Sequence, residues 1–258
     1  TYDVTDSDGN AAEQVTREVV VQDTTPPMIA LQGDATIMHA VTDTFTDPGA
    51  TATDACEGDL TDAIVVSGDL TDHGEPEAYG YLRDAMSWFD RPLLVLPGNH
   101  DLREPMRAAF DTLPVAGPLD QVVRVGALSL VLLDTLVEGE PYGRLSEAQL
   151  AWLDEALTAE QGRPVLIFLH HPPFATGIAF MDANGLRSPE GLEAVVQRHP
   201  HVRLVGCGHV HRSMTALWAG VPCMIAPAPA HAIAMDLRAD GGAGFIMEPG
   251  AVLVHRWD

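Results

Sequence analysis

The chain has 258 residues, with 37 Asp and Glu against 14 basic residues, for a formal net charge of −23. All 14 basic residues are Arg. Such an acidic surface repels nucleic-acid backbones, which excludes a DNA or RNA duplex as a bulk partner; a locally bound cation would still admit a small phosphate ester. No apolar run reaches the roughly 18 residues of a membrane span, so no membrane partner is expected. The first residue is not Met and no leader-like stretch follows it, so the chain reads as a mature product or fragment of a cytoplasmic or exported protein. Three cysteines do not make a disulfide framework. Cys207 and Cys223 lie in or near apolar runs and are expected in the core, and Cys56 sits in an acidic loop as a free thiol.

Residues 1–62 have a texture of their own, with 13 Asp and Glu against one Arg (Arg17) and abundant Thr and Val. Asp8-Gly9-Asn10 marks a turn, Val15 to Val21 alternates in strand fashion, Met28 to Leu31 is a short apolar strand, and Thr44 to Asp59 reads as loop. The phrases Tyr2 to Asn10, Asp23 to Pro27, Asp47 to Asp54 and Gly58 to Thr61 resemble the immunoglobulin-like repeats of bacterial surface and secreted proteins. Residues 1–22 are similar to the last two strands of one repeat, and residues 23–62 to the first half of the next.

From residue 63 the texture becomes α/β. Apolar runs at Ala63 to Val66, Pro92 to Leu96, Leu128 to Leu133, Pro164 to Leu169 and Val202 to Val205 predict strands covered on both faces. Glu75 to Phe89 carries Tyr79, Leu82, Met86 and Phe89 at helical spacing. Ser146 and Gln149 form a capping box for a helix to Glu160 that buries Leu150, Leu153 and Leu157. Ser188-Pro189 reads as an N-cap with Pro at the first helical position. Met214 to Trp257 is expected to form short strands in a second sheet.

Chemistry is concentrated where these strands end. AIVVS is followed by Gly68-Asp69, LLVLP by Gly98-Asn99-His100-Asp101, VLIFL by His170-His171, and HVRLVGC by Gly208-His209-Val210-His211. In open α/β sheets, sites form beyond the carboxyl ends of the strands, so four such ends can bring Asp69, Asn99, His170, His209 and His211 to one spot. A ligand set of oxygen and imidazole without thiolate suits Mn, Fe, Zn, Co or Ni better than Ca or Mg. Any one block alone is commonplace; all four in order, each behind a strand, are specific.

These blocks resemble the calcineurin-like metallophosphoesterase superfamily, and within it the class III cyclic-nucleotide and glycerophosphodiester phosphodiesterases. The phrases that carry the likeness are VVSGDLTDHGEPEAY (65–79), LPGNHD (96–101), GRLSEAQLAWLDEAL (143–157), FLHHPPF (168–174), APAPAHAIAMDL (226–237) and GFIMEPGAVLVHRWD (244–258). The resemblance implies a four-layer α/β/β/α sandwich over residues 63–258, behind an all-β immunoglobulin-like segment at 1–62. It implies one or two divalent ions (Mn, Fe, Zn or Co) and hydrolysis of a small phosphodiester by metal-activated hydroxide. Asp69 would bridge two metals, Asn99, His170 and His209 would complete one site, and His211 would belong to the other. His100 would face the phosphate as charge stabiliser or proton donor, Asp101 would orient His100, and His231 aligns with a substrate-facing His of some relatives.

The family's Asp-x-His block, which ends the first strand and supplies two further ligands, does not occur ahead of Asp69. The resemblance therefore implies a domain lacking its usual first strand. Met28 to Leu31, or strand exchange in a homodimer or higher oligomer, would cover the exposed edge. Asp34 and His39 are speculative replacements at the wrong spacing; a turn Asp and a surface His are the plainer reading. The rival function is a secreted adhesive or structural module carrying a degraded phosphoesterase, and a phosphomonoesterase or phosphotriesterase is a third. His171 is open between a structural and a substrate-contacting role. His73, His199, His201 and His255 read as loop, surface or packing residues, and the Asp-rich loops from Asp43 to Asp62 lack EF-hand spacing.

Overall fold

A computed structural model describes residues 63–89, 91–238 and 240–257, with short stretches at 7–8, 28–31, 50–54 and 58–59. Strands β1 (Met28–Leu31), β2 (Ala50–Asp54) and β3 (Gly58–Asp59) form an antiparallel sheet in that order. The expected loop from Thr44 to Asp59 thus contains two strands. The Thr–Ala alternation of ATATD suits a pleated strand once MIAL is available to pair with it. Met28 to Leu31 pairs with β2 and not with the strand that leads to Asp69. Ser7 and Asp8 lie in a turn. The rest of the immunoglobulin-like reading, together with Asp34, His39 and Cys56, lies outside the described residues.

The α/β part runs β4 (Ile64–Ser67), α1 (Pro76–Ala85), β5 (Leu93–Leu96), α2 (Arg103–Ala109), β6 (Gln121–Val125), β7 (Leu128–Leu133), β8 (Gly143–Arg144), α3 (Glu147–Ala159), β9 (Val165–Leu169) and α4 (Ala179–Asp182). It continues with β10 (Leu186–Arg187), α5 (Glu190–Arg198), β11 (Val202–Cys207), β12 (Met214–Trp218), β13 (Val221–Ile225), β14 (Ala232–Ile233) and β15 (Phe245–Ile246). Six strands build a central sheet in the order β12-β13-β11-β9-β7-β6. Its inner strands β13, β11, β9 and β7 are mutually parallel, and the edges β12 and β6 are antiparallel. Strands β4 and β5 form a separate parallel pair. The expected second sheet after Met214 is corrected: β12 and β13 extend the central sheet, because β13 runs parallel beside β11, and only β14 and β15 pair apart.

Alternation of side chains decides the layering. On β9, Val165, Ile167 and Leu169 join the helical core, which holds Leu153 and Leu157 of α3 and Leu192, Val195 and Val196 of α5. Leu166 and Phe168 face the other way and pack with Leu130, Leu132 and Leu204 against Leu94 and Leu96 of β5. The opposite face of β5 presents Val95 to Tyr79 of α1 and Met106 of α2. The packing order is therefore α3 and α5, the central sheet, the β4–β5 pair, then α1 and α2. The described fold is mixed α/β around one central sheet, and its continuous apolar strands are those with both faces covered.

Local signals account for α3 most fully. Ser146 and Gln149 close a reciprocal capping box, and Leu153 and Leu157 are fully buried, whereas Leu150 is half-buried. At α5 the expected cap is corrected: Ser188 takes a left-handed φ of 54°, Pro189 occupies the N-cap, and no side chain caps the helix. Cys207 and Cys223 are buried free thiols, as expected of small core residues. Replacing Leu153 with Ala should lower unfolding free energy by about 2–5 kcal/mol, and Ser146→Ala by about 1 kcal/mol. Urea denaturation checks both; equal losses would contradict the assignment of Leu153 to the central core.

Candidate metal centre

The parallel strands deliver the four motifs to one edge of the molecule, and hydrogen bonds tie them together. The carbonyl of Ser67, at the end of β4, accepts from Nδ1 of His170, which follows β9, at 2.7 Å. The Gly208 N–H donates to the His170 carbonyl at 3.0 Å, joining the turn after β11 to the end of β9. In that turn Val210 is buried in the helical core while His209 and His211, flanking it, adopt left-handed φ values of 70° and 56°. Asp69 also has a positive φ, 54°. Such conformations cost non-glycine residues about 1–3 kcal/mol each, and they persist only where surrounding structure holds them.

The close approach also explains two glycines. Gly68 has φ 97°, and a Cβ there would collide with the His170 ring. A Cβ on Gly98 would collide with the Asp69 carboxylate and backbone. The Gly-Asp and Gly-Asn-His-Asp turns therefore need glycine to let the carboxylate, carboxamide and imidazole meet.

At their meeting point, Nε2 of His170 lies 3.2 Å from Oδ2 of Asp69 and 3.2 Å from Oδ1 of Asn99. Nδ1 of His209 lies 3.0 Å from the same Asn99 oxygen and 3.2 Å from Nε2 of His170. Because the Ser67 carbonyl can only accept, Nδ1 of His170 carries the proton, and Nε2 of the neutral ring directs a lone pair inward. Two acceptor oxygens and a ring lone pair thus converge and repel one another unless a positive charge sits among them. The donor set of carboxylate, amide oxygen and two imidazoles fits a divalent transition metal.

The titration behaviour reports the same constraint. Burial favours the neutral acid form of Asp69, but the His170 charge and hydrogen bond outweigh it, and its carboxyl is held far below the usual range. Burial opposes protonation of His170, yet the Asp69 carboxylate prevails and raises the ring above its ordinary value. Burial and the neighbouring His170 push His209 down to about 3. A raised His170 value means that a proton and a cation compete for the same ring nitrogen.

Around this centre the other expected residues fall in distinct positions. His211 is half-buried; burial and then His231 lower its pKa, and the Asp69 charge opposes them. Its Nδ1 bonds the His231 carbonyl at 3.1 Å, leaving Nε2 as the atom on offer, and the two rings lie 4.7 Å apart. His100 is exposed at the rim, with Nδ1 donating to the Asp72 carbonyl at 2.8 Å. The expectation that Asp101 orients His100 is corrected. The Asp101 carboxylate is buried beneath the loops and accepts from the N–H groups of Gly98, Leu70 and Thr71 and from the hydroxyl of Tyr79. Asp101 clamps the Gly-Asp turn to the Gly-Asn-His-Asp turn; the main chain of Asp72 orients His100.

Sequence reasoning missed two contributors, Tyr79 and Thr135, and left the role of a third, His171, open. Tyr79 passed as an apolar helix residue, yet its hydroxyl links Asp101 to the Leu102 N–H. Thr135, just past β7, holds Nδ1 of His171 at 2.8 Å. His171 itself is fully buried, with its ring 4.8 Å from that of His170 and 4.7 Å from that of His209. One nitrogen from each of these three rings lies within 4.8 Å of the others. Burial, then the two neighbouring rings, keep His171 neutral. Its place immediately after a ligand, ahead of Pro172-Pro173, was the one available signal. His73 pairs with Asp72 on the surface, and His199 and His201 bond Asp154 and the Leu157 carbonyl, away from the centre.

A sequence profile described as calcineurin-like phosphoesterase matches residues 40–213, so the match begins within the acidic N-terminal segment. The chain is 36% identical over 200 residues to a protein of Arcobacter nitrofigilis named probable glycerophosphodiester phosphodiesterase GpdQ, covering 76% of this chain and 73% of that one. It is 34% identical over 166 residues to the 3′,5′-cyclic adenosine monophosphate phosphodiesterase CpdA of Escherichia coli strain K12, covering 64% and 60%. Among solved structures, a dimetal phosphatase from Danio rerio superposes with a TM-score of 0.51 at 17% identity, over 64% of this chain and 72% of that one, a likeness of fold alone.

A cation at the centre needs Nε2 of His170 unprotonated, and the raised pKa of that ring opposes this. Titration with Mn²⁺ should release protons at acidic pH, and apparent affinity should rise with pH until that ring is neutral. Calorimetry in two buffers of different ionisation enthalpy measures the release; affinity independent of pH between about 5.5 and 8 would remove His170 from the ligand set.

Proposed function

The chain belongs to the calcineurin-like phosphoesterase family, and from that premise we propose that it hydrolyses phosphodiesters, of the cyclic-nucleotide or glycerophosphodiester kind, with divalent metal. The observation that carries the reading is the convergence of Asp69, Asn99, His170 and His209 on one point. A divalent ion bound there supplies positive charge toward the phosphoryl oxygens and lowers the pKa of water.

The chain's own residues do the rest. Asp69 presents Oδ2 to the centre while Oδ1 accepts from the His100 N–H at 3.1 Å, so one carboxylate fixes both the centre and the loop facing the substrate. The Ser67 carbonyl sets the His170 tautomer so that Nε2 serves as the ligand atom. His100, held through Nδ1 by the Asp72 carbonyl, stands exposed at the rim, where it would hand a proton to the departing alcohol. His211, its Nδ1 occupied by the His231 carbonyl, joins Asp69 in a second, less complete centre, and His231 lies beside it at the substrate.

The same reading takes residues 63–258 as the phosphoesterase domain and 1–62 as a separate all-β segment. No Asp-x-His triplet precedes Asp69. The centre built on Asn99, His170 and His209 is therefore proposed as the strong one, taking Mn, Fe, Zn or Co, and the one containing His211 as the weak one that fills only with excess metal.

Bis(p-nitrophenyl) phosphate should be turned over with added Mn²⁺ or Co²⁺, and Asp69→Ala should reduce kcat/KM by at least about a hundredfold; a loss under about tenfold would overturn the assignment. His100→Asn should slow an alkyl-leaving diester by about 10²–10⁴-fold and the p-nitrophenyl diester far less, because p-nitrophenolate departs without a proton. Equal losses on both substrates would exclude His100 as the proton donor.

A further inference from the structure

Phosphodiester chemistry leaves open what else a substrate carries, and the structure holds a feature that bears on this. A cavity of about 280 Å³ opens beside the metal centre, between the turn containing His211 and the C-terminal segment. His211 and His231 line it on the side of the centre, and Met235 and Pro249 are among its apolar walls. Of its lining residues, histidines apart, only Arg212 and Glu248 are ionised.

Arg212 is mostly buried and every arm of its fork is engaged. Its two terminal nitrogens meet the two carboxylate oxygens of Glu248 at 3.2 Å each, and Nε donates to the Ile233 carbonyl. A guanidinium fork recognises a carboxylate or phosphate in this two-point manner. Unpaired, Arg212 would be a ready receptor for an anionic substituent on a substrate held at the centre. Glu248 already occupies that receptor, so an incoming anion meets a neutralised arginine and a carboxylate beside it. The chain's net charge of −23 adds repulsion of the same sign.

We propose that the Arg212–Glu248 pair is a charge filter that sets substrate class: the cavity admits an uncharged alcohol arm of a phosphodiester and rejects an arm carrying a further carboxylate or phosphate. The inference rests on the phosphodiesterase reading of the adjoining centre. Glu248 acts here by holding Arg212 and by its own charge, and takes no part in the reaction at phosphorus.

The test uses the full chain with Mn²⁺ and two chromogenic diesters of matched size, p-nitrophenyl propyl phosphate and p-nitrophenyl 2-carboxyethyl phosphate. The readout is the ratio of their kcat/KM values. Wild type should favour the propyl diester. Glu248→Gln keeps the side-chain shape but frees the arginine charge, and should move the ratio at least about tenfold toward the carboxyethyl diester. The double variant Arg212→Gln, Glu248→Gln should abolish that shift, which separates a charge effect from loosening of the C-terminal segment. An unchanged ratio in Glu248→Gln, or a shift as large in the double variant, would overturn the filter. Failure of the phosphodiesterase reading would look different: wild type would turn over neither diester, and the filter would fall with it.

Discussion

The hydrogen bond between the Ser67 carbonyl and Nδ1 of His170 joins residues 103 positions apart and fastens the β4–β5 pair to the central sheet at the carboxyl ends of their strands. It fixes a tautomer, and the tautomer decides that Nε2 faces Asp69 and Asn99 with a lone pair. The glycines at 68 and 98 follow from it, because the turns must approach closely enough for the bond to form. Asp69, His209 and His211 carry left-handed backbones at the same meeting point, strained conformations that persist only where surrounding structure holds them. The acceptor cluster is unfavourable as bare protein, so the fold stores a demand for positive charge at one place.

Asp101 is the counterpart of that bond one layer down. Burial raises its pKa, and donors from the Gly98 and Leu70 main chain oppose the rise. A buried carboxylate is tolerated because five groups donate to it, three from the backbone of the two turns and the hydroxyls of Thr71 and Tyr79. Polar material beneath the site thus ties loop to loop, while apolar material on both sides of each central strand ties layer to layer. The two kinds of contact have different tasks: the cores set where the strand ends are, and Asp101 sets how the turns beyond them are bent.

Much of this was legible because strands covered on both faces write themselves as unbroken apolar runs, and because Gly-Asp or Gly-His after such a run is where a parallel strand exposes its end. Leu128 to Leu133 and Pro164 to Leu169 are examples, as is the capping box at Ser146. Residues whose role depends on what lies opposite in space were not legible. Tyr79 has helical spacing, and nothing in that spacing says that its hydroxyl meets Asp101. Asp101 adjoins His100 in sequence, yet the turn points their side chains apart. Strands β2 and β3 hid in a Thr- and Asp-rich stretch because short antiparallel pairing depends on its partner more than on local pattern. Ser188 looked like a cap until its positive φ placed Pro189 at the helix start.

The distribution of the site along the chain separates chemistry from selection. Asp69, Asn99, His100, His170, His209 and His211 all fall within the stretch matched by the family profile, residues 40–213. His231, Met235, Glu248 and Pro249, which wall the neighbouring cavity, fall beyond it. The ligands sit on turns gripped from both sides by packed strands, where displacement would break the acceptor cluster. The outer cavity walls sit on a segment with little regular structure, joined to the ligand turn through Arg212 and the His231 carbonyl and to the packed core through Ile233 and the His255–Phe168 contact. Exposed side chains on such a segment can change without disturbing the geometry at Asp69. On the proposed reading, the residues that select substrate come from both the ligand turn, through Arg212, and the C-terminal segment, through Glu248, whereas the groups that would hold the metal come from the strand ends.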